Sequence, residues 1–264
     1  MPRFTPNLPP AERPAVVTGA SAGIGRATAL ALAAAGHPVV LAARRVDRLD
    51  DLASEIDAAG GRALALPLDL ADPVSIDAFC AAAGGLGPVD VLVSNAGEVV
   101  PHTGLGADPD DFTRAVQVNL LGGQRLVAGL GPEMVARGHG DVVFVTSDVV
   151  VRPRTRMASY VAAKTGLEGM ARALQMELEG TGVRAGIVRP GPSNTEQGTS
   201  WDEPTVDAIV ADWLRWGHLR HDGALRPGNV ADAIVAMISA PKGTHLTVIE
   251  VQPEAPVSAD RSHL

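Results

Sequence analysis

The sequence predicts an α/β protein built on a doubly wound parallel sheet, and three observations carry that expectation. Short apolar runs without polar alternation recur at 15–18, 38–42, 62–67, 89–94, 141–146, 184–188 and 244–251. Helix-like stretches separate them, and strands buried on both faces with helical crossovers form parallel sheets. The first run breaks directly into a glycine-rich turn that opens a helix, as a strand-turn-helix unit does.

Taken in order, each element has its own signal. The run 15–18 leads into Thr18-Gly19-Ala20-Ser21-Ala22-Gly23-Ile24-Gly25, and the alanine-rich stretch 26–35 then closes at Gly36. Glycines let the backbone turn tightly and approach a pyrophosphate, while the first helical turn offers free N–H donors at the positive end of its dipole. The second run ends at Ala43-Arg44, the third at Leu68-Asp69-Leu70, the fourth at Ser94-Asn95-Ala96-Gly97, the fifth before Ser147 and the sixth before Pro190-Gly191. Ligands of such sheets sit beyond the strand C-termini, where these residues fall. Asn119 lies on the apolar stretch 116–122, where an amide needs a partner. Tyr160, the one tyrosine in the chain, stands four residues before Lys164 and 13 after Ser147. On a helix that spacing puts phenol and ammonium on one face, where the cation favours the phenolate.

The region 192–227 is irregular. It begins with loop chemistry, continues as a helix-compatible stretch at 204–215, and holds all three tryptophans, Trp201, Trp213 and Trp216. That clustering predicts an apolar lid over a pocket, the alternative being packing onto the body or onto another subunit.

Composition bounds the rest. A chain of 264 residues, 46% hydrophobic and 20% charged, fits one domain over 13–264 that encloses its own core, after a loose proline-rich arm at 1–12. The net charge of −8 argues against a nucleic-acid partner. No run approaches the ~20 apolar residues of a membrane span, and the opening residues lack a signal-peptide core, so a soluble cytoplasmic protein is expected. The single cysteine, Cys80, excludes an internal disulfide and is read as an inert core residue. His218 and His221 have no Cys or acidic pair at metal spacing, so no metal is expected.

Thr18-Gly19 to Gly25, Ser94-Asn95-Ala96-Gly97, Asn119, Ser147, Tyr160-x-x-x-Lys164 and Pro190-Gly191 resemble, in order and spacing, the motifs of the short-chain dehydrogenase/reductases. The likeness spans nearly the whole chain and implies a Rossmann fold with a seventh strand added to the usual six and helices on both faces. It implies catalytic roles for four residues: Tyr160 as the phenol that protonates a developing alkoxide, Ser147 as the hydroxyl that holds the carbonyl oxygen, Lys164 as the group that lowers the phenol pKa and binds the nicotinamide ribose, and Asn119 as the residue that distorts its helix and holds a water leading from the lysine to solvent. It assigns cofactor contacts to Gly19, Ser21, Gly23, Ile24, Gly25, Arg44, Asp69, Leu70, Asn95, Ala96, Gly97, Tyr160, Lys164, Pro190, Gly191 and Thr195.

Cofactor choice turns on the end of the second run, where an Asp or Glu would bind the adenine ribose diol. Ala43 and Arg44 stand there instead, and a guanidinium suits a 2′-phosphate, so NADP(H) is expected over NAD(H), with Ser21 and Arg45 assisting. The reading is an oxidoreductase that interconverts a ketone and a secondary alcohol; a non-catalytic dinucleotide-binding regulator or scaffold is the alternative. Val99, Val100, 149–151, Met157 and the tryptophan segment predict a hydrophobic substrate, while Arg152, Arg154 and Arg156 are read as a solvated charge run or subunit contact before an anion site. The resemblance implies a homotetramer or homodimer.

Overall fold

The structure, a computed structural model, describes residues 4, 6–199, 201–219 and 221–256. Positions 1–3 and 5 of the expected arm, 200 and 220 of the expected lid, and 257–264 lie outside the described residues. Seven strands form one parallel sheet: β1 (Ala15–Thr18), β2 (Val39–Ala43), β3 (Ala63–Pro67), β4 (Val91–Ser94), β5 (Gly140–Val145), β6 (Val183–Pro190) and β7 (Val248–Val251), in the order β3-β2-β1-β4-β5-β6-β7. Among the described residues, eight α-helices connect or follow them: α1 (Gly23–Ala34), α2 (Val46–Ala58), α3 (Pro73–Ala82), α4 (Pro109–Val116), α5 (Gly122–Arg137), α6 (Ala158–Glu177), α7 (Glu203–Arg215) and α8 (Pro227–Ser239).

The central strands are mostly apolar because helices cover both faces. Every residue of β1, β2, β4 and β5 is buried. Alternate side chains go to opposite layers. Val17, Val39 and Leu41 pack with Leu32 of α1, Leu52 of α2 and Ile234 of α8. Val16, Val40 and Leu92 pack with Phe79 of α3, Leu126 of α5 and Leu167 of α6.

Register places Ala15 beside Val39 on one side and Val91 on the other. The chain therefore runs outward from β1 through β2 and β3, then returns to start β4 on the opposite side of β1. At that reversal the connections diverge to opposite faces and leave a cleft above the C-terminal ends of β1 and β4, the usual ligand site of an open parallel sheet.

Four strand starts meet in a buried ionic network at the other end of the sheet. Arg13 donates to Asp90 (2.6 Å) and to Asp141, Arg184 donates to Asp141 (2.7 Å), and His139 Nδ1 lies 2.6 Å from Asp90.

Some expectations need correction. The last run begins its strand at Val248 and not at 244: Arg184 takes the Thr244 carbonyl, and the side chains of Gln175 and His245 take the Ala185 carbonyl of β6, which an earlier strand start would have used. The described part of the arm is anchored, with Pro10–Glu12 forming a short helical turn and Asn7 Oδ1 accepting from Lys242 N at 3.0 Å. Cys80, expected in the core, is only half-buried, against Gly129 of α5, and burial pushes its thiol pKa up.

Candidate active site

A groove of about 780 Å³ crosses the C-terminal edge of the sheet, lined along its length by the glycine turn, the ends of β2 and β4, and the residues after β5 and β6. Its floor depends on small residues. Gly19 has φ of 71°, a left-handed conformation that suits glycine, and a Cβ on Gly25 would lie 2.2 Å from the Gly19 carbonyl oxygen. The first turn of α1 thus presses directly on the strand end. Asn95 fastens the two sides of the cleft: its Nδ2 donates to the Thr18 carbonyl (2.9 Å), while Thr18 Oγ1 accepts from the N–H groups of Asn95 and Ala96 (both 3.0 Å).

Ser147, Tyr160 and Lys164 converge at one end of this groove, as the sequence spacing suggested. Ser147 follows β5 and caps the short turn Asp148–Val150, accepting from Val149 N at 3.4 Å. Tyr160 and Lys164 lie one turn apart in α6 and are buried, as is Ser147. Burial raises the Tyr160 pKa to about 12, and the neighbouring Ser147 side chain offsets only part of that rise. The expected effect of Lys164, to favour the phenolate, is opposed by this burial. Lys164 Nζ instead donates to the Val145 carbonyl at 2.9 Å and lies 5.7 Å from the tyrosine ring centre. Burial lowers the ammonium pKa to about 8.

Asn119 sits where the helix is distorted. Residues Gln117–Leu121 form a π turn between α4 and α5, in which Gly122 N bonds back to the Gln117 carbonyl. The amide of Asn119 is engaged on both sides: Nδ2 donates to the carbonyls of Ala115 and Glu98 (both 2.9 Å), and Oδ1 accepts from Glu98 N (3.2 Å). A Cβ on Gly97 would lie 2.6 Å from Asn119 Oδ1 and 3.3 Å from Lys164 Nζ, so the Asn-Ala-Gly turn must be glycine here to admit both side chains.

The remaining expected contacts line the same groove: Gly19, Ser21, Gly23, Ile24, Arg44, Asp69, Leu70, Asn95, Ala96, Gly97, Pro190, Gly191 and Thr195. Gly25 lies beneath it. Asp69 also closes its own turn by accepting from Ala71 N (2.9 Å), while Asp72 is the residue that caps α3, accepting from Val74 N (2.9 Å). Arg44 is exposed, and its guanidinium has no partner among the described residues. Arg45 is the better anchored of the two, donating to Ser21 Oγ (3.0 Å) and to Glu196 (3.0 Å), and Arg48 donates to Glu196 at 2.8 Å.

Two of the three tryptophans face the site. Trp201 and Trp213 pack against the cluster of Val149, Met157 and Tyr160, while Trp216 is 59% exposed, with Arg215 over its ring. Helix α7 is tied to the loop before α6, because Arg156 pairs with Asp212 (2.6 Å) and Trp213 Nε1 donates to the Thr155 carbonyl (3.2 Å). The arginine run is not simply solvated: Arg154 pairs with Asp148 and lines the groove, and Arg152 lies 3.7 Å from Glu250. Asp148 was not anticipated from the sequence. Its signal was a lone carboxylate opening the apolar run 148–151 directly after Ser147.

A doubly wound sheet with a glycine turn at its switch point and a Ser-Tyr-Lys group at the cleft defines a class of dinucleotide-dependent oxidoreductases. Residues 13–205 match the family model described as short chain dehydrogenase, and the chain belongs to that family. It is 34% identical over 250 residues to glycine betaine reductase from Emericella nidulans, covering 94% of this chain but only 19% of that much longer protein. It is 29% identical over 239 residues to 2,3-dihydro-2,3-dihydroxybenzoate dehydrogenase from Bacillus subtilis, covering 89% of this chain and 91% of the relative. Its fold superposes on an alcohol dehydrogenase from the archaeon Thermococcus sibiricus solved with 5-hydroxy-NADP, with a TM-score of 0.79, 30% identity and coverage of 93% and 99% of the two chains. Among the described residues no helix is long and apolar enough to cross a membrane, and no group of His, Cys, Asp and Glu could hold a metal.

Proposed function

We propose that this chain is an NADP(H)-dependent oxidoreductase that interconverts a ketone and a secondary alcohol, with Tyr160 as general acid and base. The observation that carries this reading is the buried hydroxyl pair of Ser147 and Tyr160 beside Lys164 at the end of the groove. The groove fits a dinucleotide: a glycine cradle without side chains opens α1, and no carboxylate stands at the end of β2, where Ala43 and Arg44 lie. Gly19, Ser21, Gly23 and Ile24 would hold the pyrophosphate end, Arg44 and Arg45 a 2′-phosphate, Asp69 and Leu70 the adenine, and Asn95 to Gly97, Pro190, Gly191 and Thr195 the nicotinamide half. When bound, the nicotinamide supplies or accepts the hydride.

The chain's own residues manage the oxygen and its proton. Ser147 holds the substrate oxygen and stabilises charge as it develops there. Tyr160, protonated at neutral pH because burial raises its pKa to about 12, donates to that oxygen during reduction and takes the proton back during oxidation. Lys164, one helical turn from the phenol, replaces the spent proton, and Asn119 stands with it around Gly97. Trp201, Trp213, Val149 and Met157 exclude water from the reacting centre and favour an apolar substrate body. The intact Ser147, Tyr160 and Lys164 positions favour turnover over a scaffold role.

The test pairs Tyr160→Phe with the unaltered protein on a panel of ketones and secondary alcohols with both phosphorylated and unphosphorylated cofactors. The variant is expected to lose nearly all turnover while its fluorescence titration with NADPH stays close to normal. Unaltered kcat in the variant, or no turnover of any panel member by the parent protein, would reject the proposal.

A further inference from the structure

The catalytic hydroxyls have a charged neighbour that the proposed mechanism does not use. Asp148 is 2% exposed and follows Ser147 directly, with Ser147 Oγ donating toward its Oδ1 at 3.5 Å. Arg154 grips this carboxylate with two nitrogens, NH1 to Oδ1 at 2.9 Å and NH2 to Oδ2 at 2.5 Å. The guanidinium lies 5.3 Å from the ring centre of Trp213, on the helix that covers the site. Both residues line the groove. A two-pronged ion pair with an aromatic plate behind it is held in one geometry, and in a water-poor site each charge alone would be strongly felt.

We propose that Asp148 and Arg154 are a charge-balanced positioning pair for the Ser147 and Tyr160 hydroxyls, holding the serine in place and keeping the net charge on that wall of the pocket near zero. The inference rests on the reading of Tyr160 as acid and base, and it adds the residues that tune it.

The other charged groups around Tyr160 have different partners. Lys164, on the same helix, is bonded to Val145. Arg156 of the preceding loop pairs with Asp212 of α7. His102, after β4, bonds Ser159 Oγ at 2.8 Å, and Glu98 pairs with Arg114 at 2.9 Å. Of the charged groups, Asp148 and Arg154 act on the phenol, and in opposite directions: the carboxylate pushes its pKa up and the guanidinium pulls it down. Removing either partner should therefore unbalance the wall, and the two removals should have opposite signs.

The chain contains one tyrosine, so its near-ultraviolet tyrosinate absorbance reports Tyr160 alone, without need of a substrate. Alkaline titration would compare the parent with Asp148→Asn, Arg154→Met, Arg154→Lys and the double variant Asp148→Asn with Arg154→Met, with Tyr160→Phe as the blank. Asp148→Asn should move the midpoint down by about one pH unit. Arg154→Met should lower the fraction of tyrosinate at any fixed alkaline pH. Arg154→Lys should stay near the parent, and the double variant should return toward it.

A merely structural pair would instead loosen the pocket, let water in, and shift both single variants downward. Shifts of one sign, no shift in either, or a double variant as displaced as Asp148→Asn would overturn the proposal. If Asp148→Asn does not fold, the contrast between Arg154→Met and Arg154→Lys decides it. Loss of turnover in Tyr160→Phe tests the catalytic reading separately, since the titration does not depend on activity.

Discussion

Burial of the Lys164 ammonium brings its pKa from 10.5 down to about 8, with the Val145 carbonyl as its hydrogen-bond acceptor. The unfolded chain therefore binds more protons than the folded one between those values, and stability rises with pH through that window. Below pH 8 the buried charge costs about 3 kcal/mol of folding free energy as an order of magnitude. Lys164→Met should therefore raise the Tm of the cofactor-free protein at pH 7, and the gain should shrink as pH climbs from 8 toward 10.5; thermal melts of both proteins across that range check this. At the opposite end of the groove, Arg44→Ala should weaken NADPH binding by about 1.5–3 kcal/mol and NADH binding far less, because only the phosphorylated cofactor loses a charge-assisted contact. Equal losses in paired fluorescence titrations would show that Arg44 does not read the 2′-phosphate.

At the scale of elements, the glycine turn and the loop after β6 define the mouth of the groove. Gly25→Ala would set a methyl group against the Gly19 carbonyl and Asn95 Nδ2, at 2.2 and 2.7 Å before relaxation. Because these neighbours are held by Thr18 and the end of β1, the strain should destabilise the protein by about 1–3 kcal/mol and sharply weaken dinucleotide binding. Denaturant midpoints and a cofactor titration measure the two effects. The β6 loop reaches across through Glu196, whose carboxyl is held below its usual pKa by Arg45 and Arg48. Glu196 occupies the guanidinium of Arg45, one of the two proposed, with Arg44, to hold the 2′-phosphate. Glu196→Gln is thus expected to tighten NADPH several-fold with little change for NADH, and equal effects on both would remove Glu196 from cofactor discrimination.

For the whole molecule, the sheet is held at its other end by the Arg13, Asp90, Asp141 and Arg184 network, remote from the groove. Removing one member leaves a buried charge without its partner, a change that typically costs 3–5 kcal/mol. Arg13→Met should therefore lower the unfolding midpoint strongly while sparing cofactor affinity in whatever protein remains folded. Burial also lowers the pKa of His37 and His139 beneath the free-imidazole value of 6.5. The unfolded chain then takes up more protons than the folded one as pH falls below 6.5, so acid should progressively destabilise the protein through these two rings. Urea melts at successive pH values test that slope, and His139→Gln should flatten it.

What the sequence by itself determined is the part written in local pattern. Strands read as apolar runs because both faces of the sheet are covered, the cofactor turn reads as glycines because side chains cannot fit there, and Tyr160 and Lys164 read as a pair because a helix places positions four apart on one face. The tertiary structure decided what depends on chain segments far apart in sequence. Arg13 meets Asp90 and Asp141 only when three strand starts align, Glu196 meets Arg45 only when the β6 loop folds back over the groove, and Trp213 reaches Arg154 only when α7 settles on the site. The same holds for the proton affinities at Tyr160 and Lys164. Spacing alone put the lysine beside the phenol, where it favours the phenolate, whereas burial is a property of the packed molecule and moves the two pKa values in opposite directions.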